Sequence, residues 1–173
     1  MDIKQFGGTK MILVIDGFNL IYKFHELENF MFNNELEKAM EGLIEYLTQL
    51  LKRLKKRHTI YVFFDGKKFR GDDTYQEVIN GIHCYYSHET SADTLIEEFI
   101  KNKRLNNISG IRVISSDKRI QNFTKKYKYE YQSSEDFYLW FKEITSEVKE
   151  IQEKPETISK KEIDYWLSVF KKR

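Results

Sequence analysis

The sequence predicts an α/β fold: a mostly parallel sheet of four to five strands flanked by helices, with a C-terminal helical extension. Two observations lead to this prediction. Short runs of β-branched and aromatic residues alternate with longer stretches whose apolar residues recur at helical spacing, a pattern typical of parallel α/β sheets. Several of the strand-like runs also end in or just before an aspartate, and the carboxyl ends of parallel strands form the usual functional edge of such sheets.

The first half of the chain contains a strand, a helix and a second strand. Residues 11–15 form an apolar run closed by Asp16 and a glycine, which suits a strand buried on both faces. Leucine, isoleucine and methionine recur at helical spacing over residues 36–54 and predict an amphipathic helix of about six turns. Residues 59–64 predict the second strand, again followed by an Asp-Gly pair that begins at Asp65.

The second half repeats the alternation after a stretch at residues 67–80 that we predict to be a polar, mobile loop. Five elements are predicted beyond it: a strand at 82–86, a helix that opens at Thr90, a strand at 111–114, a helix to about 127 and a strand at 129–131. Residues 133–136, Ser-Ser-Glu-Asp, have the composition of the cap of a further helix.

These elements define a domain over residues 11–142, between an N-terminal extension at 1–10 and a charged helical extension at 143–173. The extension contains the only proline, Pro155, and its last predicted helix begins near residue 159. The chain has one cysteine and no apolar run of the ~20 residues that span a bilayer. We therefore expect a soluble protein of a reducing cytoplasm. The net charge of +2 says little about partners.

Four aspartates are predicted to converge at one edge of the sheet. Asp16, Asp65 and Asp117 follow strands, and Asp93 lies in the first turn of a helix that starts at the same edge. Neighbouring carboxylates raise one another's pKa unless a hard cation such as Mg²⁺ or Mn²⁺ neutralises them. We predict Asp16 and Asp117 as the main metal ligands, Asp93 as a further ligand or as a base that orients water, and Asp65 as a support.

Each acid also has a purely structural explanation. Asp93 could complete a capping box with Thr90. Asp117 could be a residue of a helix start that Ser115 or Ser116 caps. The two Asp-Gly pairs could be turns. The convergence of all four acids at one edge favours the functional interpretation.

Two further residues are candidates for the site. The amide of Asn19 could orient Asp16, a water or a phosphate, although a local Asx turn would explain it equally well. Glu97 lies one helical turn after Asp93 and is predicted as an auxiliary acid, with a solvated helix residue as the alternative.

Basic and aromatic residues near the predicted site suggest contacts with a single-stranded nucleic acid, because lysine and arginine bind phosphates and aromatic rings stack on unpaired bases. The predicted phosphate-binding residues are Lys67, Lys68, Arg70, Lys118 and Arg119. The predicted stacking residues are Phe18, Tyr22, Phe24 and Phe69. A third basic cluster, at residues 52–57, is more simply the solvated end of a helix.

Four sequence motifs together resemble the NYN domain of the YacP-like family, a branch of the PIN-like nucleases. They are VIDGFNLI at 14–21, VFFDG at 62–66, ETSAD at 89–93 and ISSD at 114–117, within a similar stretch of about residues 11–141. The resemblance implies a PIN-like Rossmannoid sheet and a metal site at Asp16, Asp65, Asp93 and Asp117. It also implies Mg²⁺- or Mn²⁺-dependent endoribonuclease activity on single-stranded RNA, in the setting of mRNA decay, including decay linked to ribosomes.

Two other classes of function share part of this pattern. A catalytically inactive PIN-like module that binds RNA or the ribosome would keep the fold without needing the acids. A phosphoryl-transfer enzyme or receiver domain also places aspartates at strand ends, but Asp16 is followed by Gly-Phe-Asn rather than by a second acid. The presence of all four acids favours the nuclease.

Overall fold

A computed structural model describes residues 10–54, 58–66, 75–106 and 108–152, with side chains up to residue 146. The chain divides into a unit that ends at Phe141 and a second that begins at Lys142. The N-terminal extension before residue 10, the loop residues Lys67, Lys68, Phe69 and Arg70, and the last predicted helix lie outside the described residues. None of the helices within these ranges is long and apolar enough to cross a membrane.

The described chain forms one six-stranded sheet with helices between the strands. The strands are β1 (Ile12–Asp16), β2 (Thr59–Phe64), β3 (Tyr75–Ile79), β4 (Ile82–Tyr86), β5 (Ile111–Ile114) and β6 (Glu130–Gln132). The helices are α1 (Gly17–Ile21), α2 (His25–Phe32), α3 (Leu36–Arg53), α4 (Ala92–Leu105), α5 (Lys118–Lys126) and α6 (Ser134–Gln152). The sheet order is β3-β4-β2-β1-β5-β6, and every pair is parallel except β3 with β4.

The predicted fold class is confirmed, but the sheet has six strands rather than four to five. The additional strand, β3, lies within the stretch predicted to be a loop. It pairs antiparallel with β4 through a turn at Asn80 and Gly81, whose φ angles are 51° and 88°. An Asn-Gly pair between two strands is a strong hairpin signal because both residues tolerate positive φ. The sequence of β3 did not predict a strand because its side chains are mostly exposed, and only buried strands need a run of apolar residues.

The long helix predicted over residues 36–54 is present as α3, with its apolar stripe buried. The short helices α1 and α2 lie between β1 and α3, a stretch for which the sequence predicts no helix or strand. With five and eight residues, they contain too few turns for a periodic apolar pattern to be recognised.

One face of the sheet is covered by α4 and α5. Val14, Phe63 and Val113 of the central strands pack there with Ile96 and Ile100 of α4, and all five side chains are almost completely buried. Burying a side chain of this size contributes roughly 1.5–3 kcal/mol. This core fixes the starts of α4 and α5 relative to the strand ends, which is where the acids lie.

An aromatic group lies beside α3 and corrects one prediction. Phe24 is 4% exposed. Its ring centroid lies 4.9 Å from that of Tyr46, 4.9 Å from that of Tyr138 and 5.3 Å from that of Phe141. The prediction that Phe24 stacks on RNA bases is therefore wrong, because the hydrophobic effect has already buried this ring against other aromatic side chains.

Candidate active site

The carboxyl ends of the parallel strands bring the predicted acids to one edge of the sheet. Asp16 is the last residue of β1, and Asp65 directly follows β2. Asp117 follows β5 by three residues and precedes α5, while Asp93 lies in the first turn of α4. Because β1 pairs in parallel with both β2 and β5, these strand ends are neighbours.

Asp16 is the buried member of the group, with 9% of its surface exposed. Its Oδ2 accepts a hydrogen bond from Ser115 Oγ at 2.9 Å, and its Oδ1 accepts one from the Asn19 backbone at 3.3 Å. The pKa of Asp16 is raised to about 6, chiefly by burial; the two hydrogen bonds oppose this rise, and the charges of Asp93 and Asp117 add to it. Asp16 is therefore a carboxylate that lacks sufficient counter-charge.

Asp117 has a structural role as a helix cap and also lies among the candidate catalytic acids. Its Oδ1 accepts hydrogen bonds from the backbone N–H groups of Arg119 at 2.6 Å and Ile120 at 3.3 Å, so Asp117 itself caps α5. The alternative in which Ser115 or Ser116 caps this helix is wrong. The Ser115 hydroxyl instead accepts from the Asp117 N–H at 3.1 Å while it donates to Asp16, and it links the two acids.

Asp93 does not complete a capping box with Thr90. The N-cap of α4 is Ser91, whose Oγ accepts from the Thr94 N–H at 3.2 Å. Asp93 is half-buried in the first turn. Its pKa is raised by burial first and then by the nearby carboxylates, of which Asp117 contributes most, whereas the Arg119 guanidinium lowers it. The strongest structural explanation for Asp93 is thus removed.

Asp65 is exposed at the end of β2 and is held by a residue that the sequence reasoning missed. Its Oδ1 accepts from the hydroxyl of Ser87 at 2.9 Å, and Ser87 is buried just beyond the end of β4. The Ser87 N–H donates to the carbonyl of Phe64 at 3.0 Å, which continues the parallel pairing of β2 and β4. A serine directly after a strand at the functional edge was the available signal.

Asn19 makes long-range contacts rather than a local Asx turn. Its Oδ1 accepts from the Ser116 backbone N–H at 3.0 Å and from the Ser134 hydroxyl at 2.8 Å. One side-chain oxygen of α1 thereby joins the end of β5 to the start of α6. These bonds indicate that Asn19 positions the edge on which Asp16 lies.

A second group missed by the sequence reasoning adjoins these bonds. Lys23 Nζ lies 2.7 Å from Glu135 Oε1, and the Ser116 hydroxyl donates to the other carboxylate oxygen of Glu135. The hydrogen bonds from Lys23 and Ser116 lower the pKa of Glu135 to about 2. Residues 133–136 were recognised as a helix cap, but the sequence gives no sign that Lys23 would reach them.

Glu97 and Arg119, predicted as an auxiliary acid and an RNA-binding residue, form a bidentate ion pair. The Nε and Nη2 atoms of Arg119 lie 2.9 Å and 3.2 Å from the two carboxylate oxygens of Glu97. This pairing raises the pKa of Arg119. Lys118 Nζ donates to the Gln121 side chain at 3.3 Å. Contact of Lys118 and Arg119 with RNA stays a prediction, as does that of the loop residues 67, 68 and 70, which lie outside the described ranges.

The chemistry of the acids suits a hard divalent cation. All the candidate ligands are carboxylate oxygens, and burial together with neighbouring carboxylates raises the pKa of both Asp16 and Asp93. Within the described residues, however, no three His, Cys, Asp or Glu side chains are grouped closely enough to hold a metal ion as they stand. The donor set fits Mg²⁺ or Mn²⁺, but the carboxylates would have to move together to bind it, and the ligand set stays a prediction.

Comparison with known proteins identifies the family. The model of the YacP-like NYN domain matches residues 13–171. The solved structure of Rae1 (YacP) from Bacillus subtilis is similar with a TM-score of 0.64 and 23% identity, covering 93% of this chain and 91% of that one. A point mutant of the same protein gives a TM-score of 0.62 and 24% identity, covering 87% and 89%.

At these identities the structural likeness concerns the fold. No curated protein matches the chain. The family assignment rests on the domain match, which spans nearly the whole sequence and places the chain in a nuclease-type, RNA-related group. The chain therefore belongs to the YacP-like NYN domain family of PIN-like nucleases.

Proposed function

We propose that this protein is a metal-dependent endoribonuclease that cleaves single-stranded RNA through Asp16, Asp93 and Asp117, supported by Asp65. The observation that carries the proposal is the convergence of four acids at one edge of the sheet, where burial first, and then the charges of neighbouring carboxylates, raise the pKa of Asp16 and of Asp93. Acids crowded in this way cost stability, and such arrangements are concentrated at functional sites. A divalent cation would offset that cost.

Hydrolysis of a phosphodiester forms a bond between a water oxygen and phosphorus and breaks one ester P–O bond. The water must lose a proton, and the leaving oxygen must gain one. Asp93 is suited to accept the proton because its pKa is raised, which makes it a stronger base than an ordinary aspartate. A bound Mg²⁺ or Mn²⁺ would stabilise the charge that develops on the phosphate and lower the pKa of the attacking water.

The residues around the acids have supporting roles in this proposal. Ser115 holds Asp16 and Asp117 in a fixed relation, and Asn19 fixes the strand end behind them. Arg119 lies close enough to lower the pKa of Asp93, so its guanidinium is near the path of a phosphate bound there. We propose that Lys118 and Arg119, with Lys67, Lys68 and Arg70 of the loop, bind the RNA backbone.

The proposed substrate is mRNA, and the proposed setting includes the ribosome. Both follow from the family resemblance rather than from a contact in this chain. The activity itself can be tested without either, on short unpaired RNAs of defined sequence.

The test is a cleavage assay with Mg²⁺ or Mn²⁺ on single-stranded RNA, comparing wild type with Asp16→Asn and Asp93→Asn. Both variants should lose activity by several orders of magnitude. Asp136→Asn is the matched control, because Asp136 is exposed in the first turn of α6 and should leave the rate unchanged. Undiminished cleavage by Asp16→Asn would refute the assignment. RNA binding without cleavage, unaffected by loss of the acids, would instead favour the alternative of an inactive RNA- or ribosome-binding module.

A further inference from the structure

A cavity of about 400 Å³ lies next to the acidic edge of the sheet. One wall consists of residues 34–38 and Met40, at the turn between α2 and α3 and the start of α3. The other wall consists of Asp65 and Gly66, which follow β2. The volume falls in the range typical of small-ligand sites. Since Asp65 belongs both to this cavity and to the candidate active site, a group bound in the cavity would adjoin the reacting phosphate.

The walls of the cavity are unsuited to a phosphate but suited to a flat ring with N–H donors. Leu36, which is 38% exposed, supplies apolar surface against which a base can pack, and Met40 also lines the cavity although it is largely buried. The carboxylate of Glu35 is already paired with Lys38, at 2.5 Å. Glu37 has no hydrogen-bond or ion-pair partner among the described residues, so its carboxylate is available to a ligand.

The charge of Glu37 selects the class of ligand. An ionised carboxylate only accepts hydrogen bonds, so it repels the anionic RNA backbone and attracts a base edge that carries N–H groups. Guanine presents two adjacent donors, N1–H and the exocyclic N2 amine, which match the two oxygens of one carboxylate. Uracil lacks an exocyclic amine. Unpaired RNA bases are commonly recognised in this way, through their Watson–Crick edges.

The wall nearest the acids leaves room for the RNA to enter. Gly66 has a φ of 109°, and a Cβ built on it would meet no atom within 4 Å. The neighbouring Asp65 side chain is turned toward Ser87, to which its Oδ1 is bonded at 2.9 Å. Among the described residues, this side of the cavity is therefore open beside a residue that the active site also uses.

We propose that this cavity is a base-recognition subsite, which binds one unpaired guanine next to the cleaved phosphodiester through the Glu37 carboxylate. The proposal rests on the proposed ribonuclease function and deepens it, because it names the feature of the substrate that sets where the chain cuts. Glu37 is then a specificity-determining residue, separate from the acids that act on the phosphate.

The first experiment measures binding without cleavage. Fluorescently labelled single-stranded RNAs that differ at one position, carrying guanine, inosine or uracil, are titrated with the protein in EDTA. Inosine lacks only the N2 amine. Wild type should prefer guanine over inosine by about fivefold or more, the discrimination expected of a bidentate contact to a base. Glu37→Gln should reduce this ratio to near one. Glu41→Gln, an exposed change one turn further along α3 and outside the cavity, is the control.

The second experiment repeats the comparison as cleavage with Mn²⁺. Wild type should cut preferentially beside guanine, whereas Glu37→Gln should cut the guanine RNA more slowly than wild type does and show no preference among the three bases. Cleavage that ignores the base in both proteins would overturn the subsite and leave the ribonuclease intact. Absence of cleavage with every metal, together with a guanine preference that depends on Glu37 in the binding assay, would overturn the ribonuclease and leave the subsite. Equal binding of all three RNAs by wild type would refute the subsite whether or not the chain cuts.

Discussion

Replacing Asp16 with asparagine should stabilise the protein at neutral pH. The reason is the pKa of about 6 for Asp16, which burial raises above the ordinary value of 3.8. Between pH 3.8 and about pH 6, the side chain of residue 16 is mostly ionised in the unfolded chain but mostly protonated in the folded chain. Folding stability therefore falls as the pH rises through this window, and the loss persists above pH 6. Asparagine carries no charge. Its single side-chain oxygen can accept the hydrogen bond of the Asn19 backbone N–H, and its amide N–H₂ can donate to the Ser115 hydroxyl, which donates to Asp16 in wild type.

The magnitude follows from the displacement of the pKa, because each pH unit corresponds to about 1.4 kcal/mol. A rise from 3.8 to about 6 for this buried group gives a penalty of about 3 kcal/mol once the folded state is ionised. The stability advantage of Asp16→Asn over wild type should then be about 1 kcal/mol at pH 4.5 and about 3 kcal/mol at pH 7.5.

The assay is urea denaturation of wild type and Asp16→Asn at both pH values in EDTA. The exposed Asp136→Asn variant should show no such dependence on pH. Added Mn²⁺ should raise the stability of wild type at pH 7.5 and leave Asp16→Asn unchanged, because a ligand stabilises only a fold that binds it. An advantage that does not change with pH, or that shrinks as the pH rises, would show that Asp16 is not held in the environment described.

Three more predictions concern single residues of this edge. Ser115→Ala should cost about 1–3 kcal/mol in urea denaturation and raise the pKa of Asp16 further, because it removes a hydrogen bond that lowers that pKa; a stability equal to wild type would contradict this. Gly17→Ala should cost about 1–3 kcal/mol by calorimetry, because a Cβ there would lie 2.5 Å from a ring carbon of Phe64; an unchanged melting temperature would refute the packing. Arg119→Gln should move the acidic limb of the cleavage pH–rate profile to higher pH, because it removes the cation that lowers the pKa of Asp93. An unmoved limb would show that Asp93 is not the base.

Much of the fold was predictable because buried strands and buried helix faces require apolar residues at regular positions in the sequence. The strands at the centre of the sheet are apolar runs, and α3 has a continuous apolar stripe, so each was recognised from its own residues. β3 was missed because an exposed edge strand needs few apolar residues. The Asn80-Gly81 turn was the signal that could have found it.

In the candidate site, too, some features were predictable from the sequence and others were not. The acids at strand ends were found because parallel strands share one carboxyl edge, a rule that needs only the order of the elements. The partners of those acids were not found. Ser87 is paired with Asp65 through the register of β4 with β2, and Glu97 is paired with Arg119 from another helix. Such contacts depend on how separate elements pack.

The sequence by itself determined the α/β architecture, the family and the set of acids brought to one edge, because periodicity, strand order and motifs are local properties of the chain. Only the tertiary structure decided the environment of each acid. It made Asp16 buried and short of counter-charge, assigned the α4 cap to Ser91 and the α5 cap to Asp117, and opened the cavity beside Asp65. Burial, hydrogen-bond partners and nearby charges all arise from residues distant in sequence, and the order of the residues does not reveal those distances.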